Sequence, residues 1–116
     1  MKEIDWAWAA GFVDGEGCLH WIRNTPTLRI VQVEKAPLLV LVQIFGVGAL
    51  YPHKPRNPKH QLSWELYIGG RKNLLPVLLK LSRYLLVKGD KADEMLSHFS
   101  DYMVKQNISP YPFNRI

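Results

Sequence analysis

Several features that define other protein classes are scarce in this sequence of 116 residues. Its single cysteine, Cys18, cannot form an intrachain disulfide, which predicts an intracellular, reducing compartment such as a prokaryotic cytoplasm or an organelle matrix. The N-terminus lacks the apolar core of a signal peptide, so we do not expect secretion. Even the apolar stretch from Pro37 to Leu50 is interrupted by Gln43 and two glycines, so we expect no membrane span and no membrane partner.

Metal-binding patterns of the zinc type are also missing. The one cysteine and the four histidines are scattered along the chain without the spacing that zinc ligands need. The histidines are His20, His53, His60 and His98. The sequence therefore argues against a zinc site, but it leaves a site of carboxylate oxygens open.

What remains has the composition of one basic globular domain. Hydrophobic residues make up 47% and charged residues 22%, ordinary values that argue against wholesale disorder. The length suits a single domain spanning residues 1–116. A formal net charge of +5 favours a polyanionic partner, either nucleic acid or an anionic surface, over an acidic protein.

The first part of the chain reads as a helix and a hairpin. Residues 4–15 are apolar on nearly all sides and predict a buried helix with Asp5 as its N-cap. Residues 18–24 and 27–33 alternate in polarity, which predicts two strands joined by a turn at Thr25-Pro26.

The middle of the chain repeats this pattern. By periodicity alone residues 36–45 fit a buried strand or a buried helix, but Pro37 near the start and Gly46 at the end favour a helix. Residues 48–53 and 61–68 predict a second hairpin, whose proline-rich connection reads as an exposed loop.

Two more helices are predicted in the last third. Asn73 suits the N-cap of a helix over residues 74–84, with Pro76 in its first turn. Asp90 and Asp93 resemble a capping box for a final helix. The apolar stripe of that helix is expected in the core and consists of Met95, Leu96, Phe99 and Met103.

The predicted order, α-β-β-α-β-β-α-α, indicates an α+β fold. Two helix-flanked hairpins combine most simply into one four-stranded antiparallel sheet with helices on one face. The other face is then free to bind a partner. The tail from about residue 108 is expected to be irregular.

The segment from Ala9 to Gly17 contains the residues best suited to chemistry. Gly11 and Gly15 lie four residues apart on one helix face, where their small size lets another helix approach closely. Glu16 falls at the negative end of the helix dipole, a placement that invites a compensating divalent cation. From Asp14 to Gly17 alone, a polar, glycine-rich turn without a function is the better explanation of these residues.

The nine residues Ala-Ala-Gly-Phe-Val-Asp-Gly-Glu-Gly together resemble the signature of the LAGLIDADG homing endonucleases. The resemblance extends through the two hairpins, the Phe45–Gly48 junction and the lysine that ends Leu85-Leu86-Val87-Lys88. It implies a saddle-shaped sheet that binds double-stranded DNA, and a metal-dependent endonuclease that cuts a long site. A single motif per chain implies a homodimer, since each acid serves one DNA strand. Such a dimer would read a near-palindrome and form through the helix carrying Gly11 and Gly15.

The resemblance also assigns roles in catalysis. Glu16 matches the acid that holds the divalent metal, Mg²⁺ or another such as Mn²⁺. Asp14 matches an earlier acid, usually structural, and is given only a minor role. Lys88 matches the active-site lysine, which stabilises charge or activates water. Gln32 is the first candidate for the polar residue that positions water, and Glu34 is the alternative.

The polar faces of the strands are the candidates for reading DNA. Strand residues of this kind can enter the major groove, where Arg prefers guanine and Gln or Asn prefers adenine. The predicted readers are His20, Ile22, Asn24, Thr27, Arg29, Gln61, Ser63, Glu65 and Tyr67. The residues predicted to meet phosphates are the loop cations Lys54, Arg56 and Lys59, with Arg71 and Lys72.

Two other functions compete with a homing endonuclease. One is a non-catalytic nucleic-acid binder of the same fold, either a transcription regulator or an intron maturase with an RNA role. The presence of both Glu16 and Lys88 argues against lost catalysis. The other is a protein-interaction module that uses the open sheet, in which case the basic loops would be incidental.

Overall fold

The computed structural model describes residues 2–55, 57, 59 and 61–106, and nine helices and strands follow one another in this part of the chain. In chain order they are α1 (Glu3–Glu16), β1 (Gly17–Ile22), β2 (Thr25–Gln32), α2 (Lys35–Phe45), β3 (Ala49–His53), β4 (Ser63–Gly69), α3 (Arg71–Leu81), α4 (Gly89–His98) and α5 (Ser100–Lys105). The predicted α+β class is confirmed. The order has one helix more than expected, because the last helical segment is interrupted at Phe99.

The four strands form one antiparallel sheet in the order β1-β2-β4-β3. Leu28 pairs with Leu19 on one side and with Ile68 on the other, and Ile30 pairs with Leu66. All of these side chains are buried. Together with leucines of α2 and α3 they form one core on the helix-covered side of the sheet.

The alternate strand positions form a second surface, which we call the open face. Successive residues of a strand point to opposite sides of the sheet, so the register fixes which residues share this surface. The open face consists of Cys18, His20 and Ile22 from β1, Thr25, Thr27, Arg29 and Val31 from β2, Ala49, Tyr51 and His53 from β3, and Ser63, Glu65 and Tyr67 from β4.

The turn of the first hairpin differs from the prediction. It lies at Arg23 and Asn24, whereas Thr25 and Pro26 already belong to β2. Arg23 and Asn24 both have positive φ, 50° and 65°. That conformation fits a two-residue turn of the type that matches strand twist, and Asn tolerates it well. Pro26 misled the prediction because it is usually a turn former.

The predicted N-cap of the first helix is also wrong. Helix α1 begins at Glu3, and Asp5 occupies the third helical position instead of the cap. Its carboxylate accepts a hydrogen bond from the backbone N–H of Lys2 at 3.0 Å. The acid therefore stabilises the helix from inside the first turn, as the acidic half of a capping box does.

Helices α3 and α4 also begin earlier in the sequence than predicted. Helix α3 begins at Arg71 after Gly70, whose φ of 93° suits glycine, so Asn73 is not its cap and Pro76 lies inside the helix. Helix α4 begins at Gly89 with Lys88 at the cap position, so Asp90 is a first-turn residue. At α3 the error arises because the chain reversal at Gly70 allows the helix to start before the first side chain that could cap it.

The predicted end of α2 and the predicted core residues of the last helices are confirmed. Helix α2 ends where Gly46 adopts the left-handed conformation, with φ of 74° and its N–H donating to the carbonyl of Val42. Met95, Leu96 and Met103 are buried in the core, and Phe99 packs against it. In the described part of the chain, no helix is long and apolar enough to cross a membrane. The tail predicted to be irregular lies outside the described residues.

Candidate active site and nucleic-acid interface

Helix α1 passes into β1 without a loop. Glu16 is the last helical residue, and Gly17 begins the strand with its N–H bonded to the carbonyl of Val13. A Cβ atom on Gly17 would lie 2.8 Å from the oxygen of Val13, which is closer than real Cβ contacts come. The sharp junction therefore requires glycine at this position. It places the exposed carboxylate-bearing residue Glu16 at the rim of the sheet.

Asp14 holds the segment that leads into α4. Its carboxylate accepts three backbone hydrogen bonds, from Leu86 at 2.7 Å, Val87 at 3.1 Å and Lys88 at 2.9 Å. Hydrogen bonds to an ionised acceptor are roughly twice as strong as neutral ones. The role of Asp14 in the structure is therefore larger than the minor one that the sequence suggested.

Lys88 lies against the end of α1 as a consequence. Its Nζ donates to the carbonyl oxygen of Asp14 at 2.7 Å, two residues before Glu16. The last turn of α1 contains no basic residue of its own, so this ammonium group supplies the positive charge that a helix C-terminus favours. The structure thus brings Glu16 and Lys88 to the same end of α1, although 72 positions separate them in the sequence.

The strand register brings Gln32 to the same end of the sheet. Ile30 pairs with Gly17, so the end of β2 runs past the residues that close α1. Gln32 is the last residue of β2 and is half-buried, whereas Glu34 lies outside the strand at the cap position of α2. Of the two candidates for positioning water, Gln32 is therefore the one on the strand. Its role stays a prediction.

One side of α1 is apolar and open. Ile4, Trp8, Gly11 and Gly15 follow one another at the spacing of a single helix face, and all four are exposed in the monomer. A Cβ atom at either glycine would meet nothing within 4 Å. Packing within the described chain therefore does not explain why these two positions lack a side chain.

The predicted DNA-reading residues divide into accessible and inaccessible ones. Arg29, Glu65 and Tyr67 are half-buried in the middle of the open face, and Ile22 is exposed near its outer end. Asn24 is not a strand residue, since it lies in the hairpin turn.

Thr27 is on the open face but is fully buried. The ring of Tyr67 lies against Gly69, which is the cross-strand partner of Thr27. Thr27 is therefore not accessible to a DNA base in this arrangement.

The loop between β3 and β4 is described only in part. Lys54, Lys59 and Gln61 are exposed, and the N–H of Lys59 donates to the side chain of Asn57 at 3.0 Å. Arg56 lies outside the described residues. The exposed lysines extend from the same end of the sheet as His53 and Ser63, which are paired in the register.

Comparison with known proteins supplies the remaining evidence. The sequence matches no family model and no curated protein. Its fold, however, is similar to that of the homing endonuclease I-CvuI, solved in complex with the I-CreI target, at 26% identity with a TM-score of 0.66. That match covers 84% of this chain and 67% of the I-CvuI chain. The homing endonuclease I-TnaI matches at 26% identity with a TM-score of 0.59, covering 92% of this chain and 76% of its own.

The chain has the fold of the LAGLIDADG homing endonucleases. The resemblance that the nine-residue motif indicated is therefore confirmed. A further similar structure is the LAGLIDADG meganuclease I-AabMI bound to uncleaved DNA, at 22% identity with a TM-score of 0.58. That match covers 89% of this chain but only 37% of the longer meganuclease chain.

Within this homing endonuclease fold, the sequence missed several residues that share the candidate surfaces. Cys18, Val31, Tyr51 and His53 lie on the open face, and the Sγ atom of Cys18 is 3.4 Å from Nδ1 of His20. The alternation of Ala49, Tyr51 and His53 was a usable signal for the third strand. No group of three potential metal ligands among His, Cys, Asp and Glu occurs within the described ranges.

Proposed function

We propose that this protein is a site-specific endonuclease that hydrolyses both strands of a long, near-palindromic DNA site as a metal-dependent homodimer. The observation that carries the proposal is the end of α1. There an exposed acid, Glu16, lies at the rim of the open sheet, and Lys88 is held at the same end of the helix by its bond to the Asp14 carbonyl. Solved homing endonucleases of this fold, I-CvuI among them, have been captured on DNA, which supports double-stranded DNA as the partner.

The donor chemistry at Glu16 fits a divalent cation such as Mg²⁺ or Mn²⁺. A free carboxylate is a hard oxygen ligand, and Asp14 does not compete for the cation because backbone amides already bind its carboxylate. One acid per chain is an incomplete site, which phosphate oxygens and the acid of a second chain would complete. Structures of I-CvuI on DNA were determined in the presence of Mg or Ca. A bound cation would supply Lewis-acid polarisation of the phosphate and a more acidic water.

The side chains of this protein would do the rest. Lys88 has its ammonium fixed by one hydrogen bond, which leaves two N–H groups to stabilise charge on the phosphate or to orient water. Gln32, at the end of β2, would position the attacking water. The basic loop residues would neutralise phosphates of the DNA backbone.

The dimer would form through the apolar face of α1. Two copies of Ile4, Trp8, Gly11 and Gly15 facing each other would bury side chains that are exposed in the monomer. The bare glycines allow the two helix backbones to come close. An isologous dimer of this kind would bring two Glu16 residues together at its axis and would match a palindromic site.

A selection experiment tests the proposal. The protein is incubated with a randomised duplex library and Mg²⁺, and the cut ends are sequenced; a parallel reaction contains a chelator instead. We expect paired cuts at one near-palindromic sequence, only with metal. Specific binding without cutting under all metals would favour the alternative, a non-catalytic maturase or regulator. Absence of both cutting and binding would contradict the DNA function altogether.

A further inference from the structure

The open face contains one charged pair that is already bound together. The Nε atom of Arg29 donates to Oε1 of Glu65 at 2.8 Å, and Nη2 of Arg29 donates to the same oxygen. Arg29 pairs in register with Tyr67, and Glu65 is two residues earlier on β4. The contact is therefore diagonal across neighbouring strands, within reach of long side chains.

The two side chains differ in exposure. The Glu65 side chain is 14% exposed and the Arg29 side chain 40% exposed. The carboxylate thus lies low against the sheet, between Val31 and Tyr51 in the register, and the guanidinium lies above it. A ligand approaching the open face would meet Arg29 before it met Glu65.

The geometry of the guanidinium decides which donors remain. Glu65 occupies the edge formed by Nε and Nη2, so the end-on edge, formed by Nη1 and Nη2, still has two parallel N–H groups. Such a fork matches the O6 and N7 acceptors of guanine in the major groove. A carboxylate that fixes the other edge removes most of the rotational freedom of the arginine before it binds.

We propose that Glu65 is a positioning residue that holds Arg29 to read one guanine in each half-site. This inference rests on the proposed function, because it requires that the open face binds DNA. It changes the interpretation of Glu65 from a residue that contacts bases to one that acts through Arg29. The pairing also limits Arg29 to reading a base, because an arginine whose charge is neutralised by Glu65 attracts phosphates less strongly.

The register also places this guanine within the site. Cys18, the partner of Arg29 on β1, is two residues beyond Glu16, or about 7 Å along the strand. Ile22 is six residues beyond Glu16, or about 20 Å. DNA rises about 3.4 Å per base pair, so Arg29 would read an inner position, about two base pairs from the level of Glu16. The guanine is therefore expected near the cleavage positions, not at the outer ends of the site.

Three variants test the proposal. Glu65→Gln keeps the shape but weakens the bond to Arg29, and Arg29→Lys keeps the charge but removes the fork. Glu94→Gln is the matched control, because it removes the same charge from an exposed position on α4, away from the sheet. Each variant is first checked for folding by circular dichroism. Binding to selected duplexes is then measured without divalent metal, for all four bases at each position and over a range of salt concentrations.

For wild-type protein we expect a preference of roughly ten- to a hundredfold for guanine at one inner position. Arg29→Lys should abolish most of it, and Glu65→Gln should reduce it several-fold. Glu65→Gln should also steepen the slope of log affinity against log salt by up to about 0.9, because the released arginine can neutralise a phosphate. Glu94→Gln should change neither quantity.

Two results would overturn the inference and leave the endonuclease function intact. One is a wild-type site without an inner guanine, and the other is a Glu65→Gln variant with the wild-type preference and slope. Wild-type protein that binds no DNA sequence selectively would instead contradict the proposed function, and the inference with it.

Discussion

The two ends of α1 both contact the segment that follows α3, and both do so through an acid. At the N-terminal end, Glu3 accepts a hydrogen bond from the hydroxyl of Tyr84 and forms an ion pair with Arg83 at 3.1 Å. At the C-terminal end, Asp14 accepts the backbone N–H groups of residues 86–88. The first contact joins exposed, rotatable side chains, whereas the second fixes the backbone itself.

The difference between a side-chain contact and a backbone contact explains which end of α1 can hold a catalytic group in a fixed position. Exposed ion pairs contribute little, because water screens them and two long side chains lose freedom. A carboxylate bonded to successive backbone amides instead defines the path of the chain, and here it fixes the position of Lys88. We therefore expect changes at the C-terminal end to act on cleavage and changes at the N-terminal end to leave cleavage unchanged.

The largest effect should come from Glu16→Gln, which removes the charge but keeps the size. If Glu16 holds the metal, cleavage should fall by about a thousandfold or more, because several kcal/mol of transition-state stabilisation are lost. Binding of the selected duplex should persist. Single-turnover cleavage and gel-shift titration measure the two quantities. A fully active Glu16→Gln enzyme would remove this residue from the active site.

The next effect is expected in the middle of the same helix. Gly11→Leu should prevent the close approach of two α1 helices. Double-strand cleavage should then fall by about a hundredfold, because even a small misplacement of the reacting groups slows a reaction by that factor. The monomer should be as stable or up to about 1 kcal/mol more stable, since the site is open and leucine favours helix. Analytical ultracentrifugation should show monomers. Ser97→Leu, also an exposed helical position, is the control; a dimeric Gly11→Leu protein would place the interface elsewhere.

Asp14→Ala should have an intermediate effect on both stability and activity. Three backbone amides lose their acceptor, so we expect unfolding to become easier by about 1–3 kcal/mol. Cleavage should fall about ten- to a hundredfold, because Lys88 loses its fixed position. This loss should not exceed that caused by removing a donor that stabilises charge in the transition state. Denaturant unfolding and cleavage assays measure these changes, with Lys88→Ala for comparison.

Asp5→Ala is the matched control for Asp14→Ala, because it is the same change at the other end of the helix. It removes one capping hydrogen bond and should cost about 0.5–2 kcal/mol without affecting cleavage in the folded enzyme. If Asp14→Ala behaved in the same way, the role of Asp14 in positioning Lys88 would be refuted.

The smallest effect is expected for Glu3→Gln. The pKa of Tyr84 is raised above its ordinary 10.0. The hydrogen bond to Glu3 is the largest cause, and burial and the negative charge of Glu3 are smaller causes. The raised pKa favours the neutral phenol in the folded state, so this stabilisation is present below pH 10 and is lost as the pH rises through the folded pKa. In Glu3→Gln the pKa of Tyr84 should fall towards 10, observed by NMR titration of its ring, with cleavage unchanged. An unaltered pKa would mean that the contact is absent in solution.

The sequence by itself determined the fold class, because hydrophobic periodicity fixes which segments are helices and strands and which faces they bury. It also determined the motif, in which Gly17 permits a junction without a loop, while Gly11 and Gly15 leave part of one face of α1 without side chains. Alternation along the fourth strand placed Ser63, Glu65 and Tyr67 on one face before the partners were known. The helix starts and the hairpin turn were predicted less well. At these positions several backbone conformations have similar free energies, so local sequence does not choose among them.

Only the tertiary structure decided which residues meet. Lys88 reaches the end of α1 because the carboxylate of Asp14 binds three amides from a distant segment, a contact that leaves no local trace in the sequence. The pairing of Arg29 with Glu65 depends on the register of β2 against β4, and so does the position of Thr27 opposite Gly69. Such contacts join residues far apart in the chain, and packing of the whole core sets them, whereas local periodicity records only which side of an element is buried.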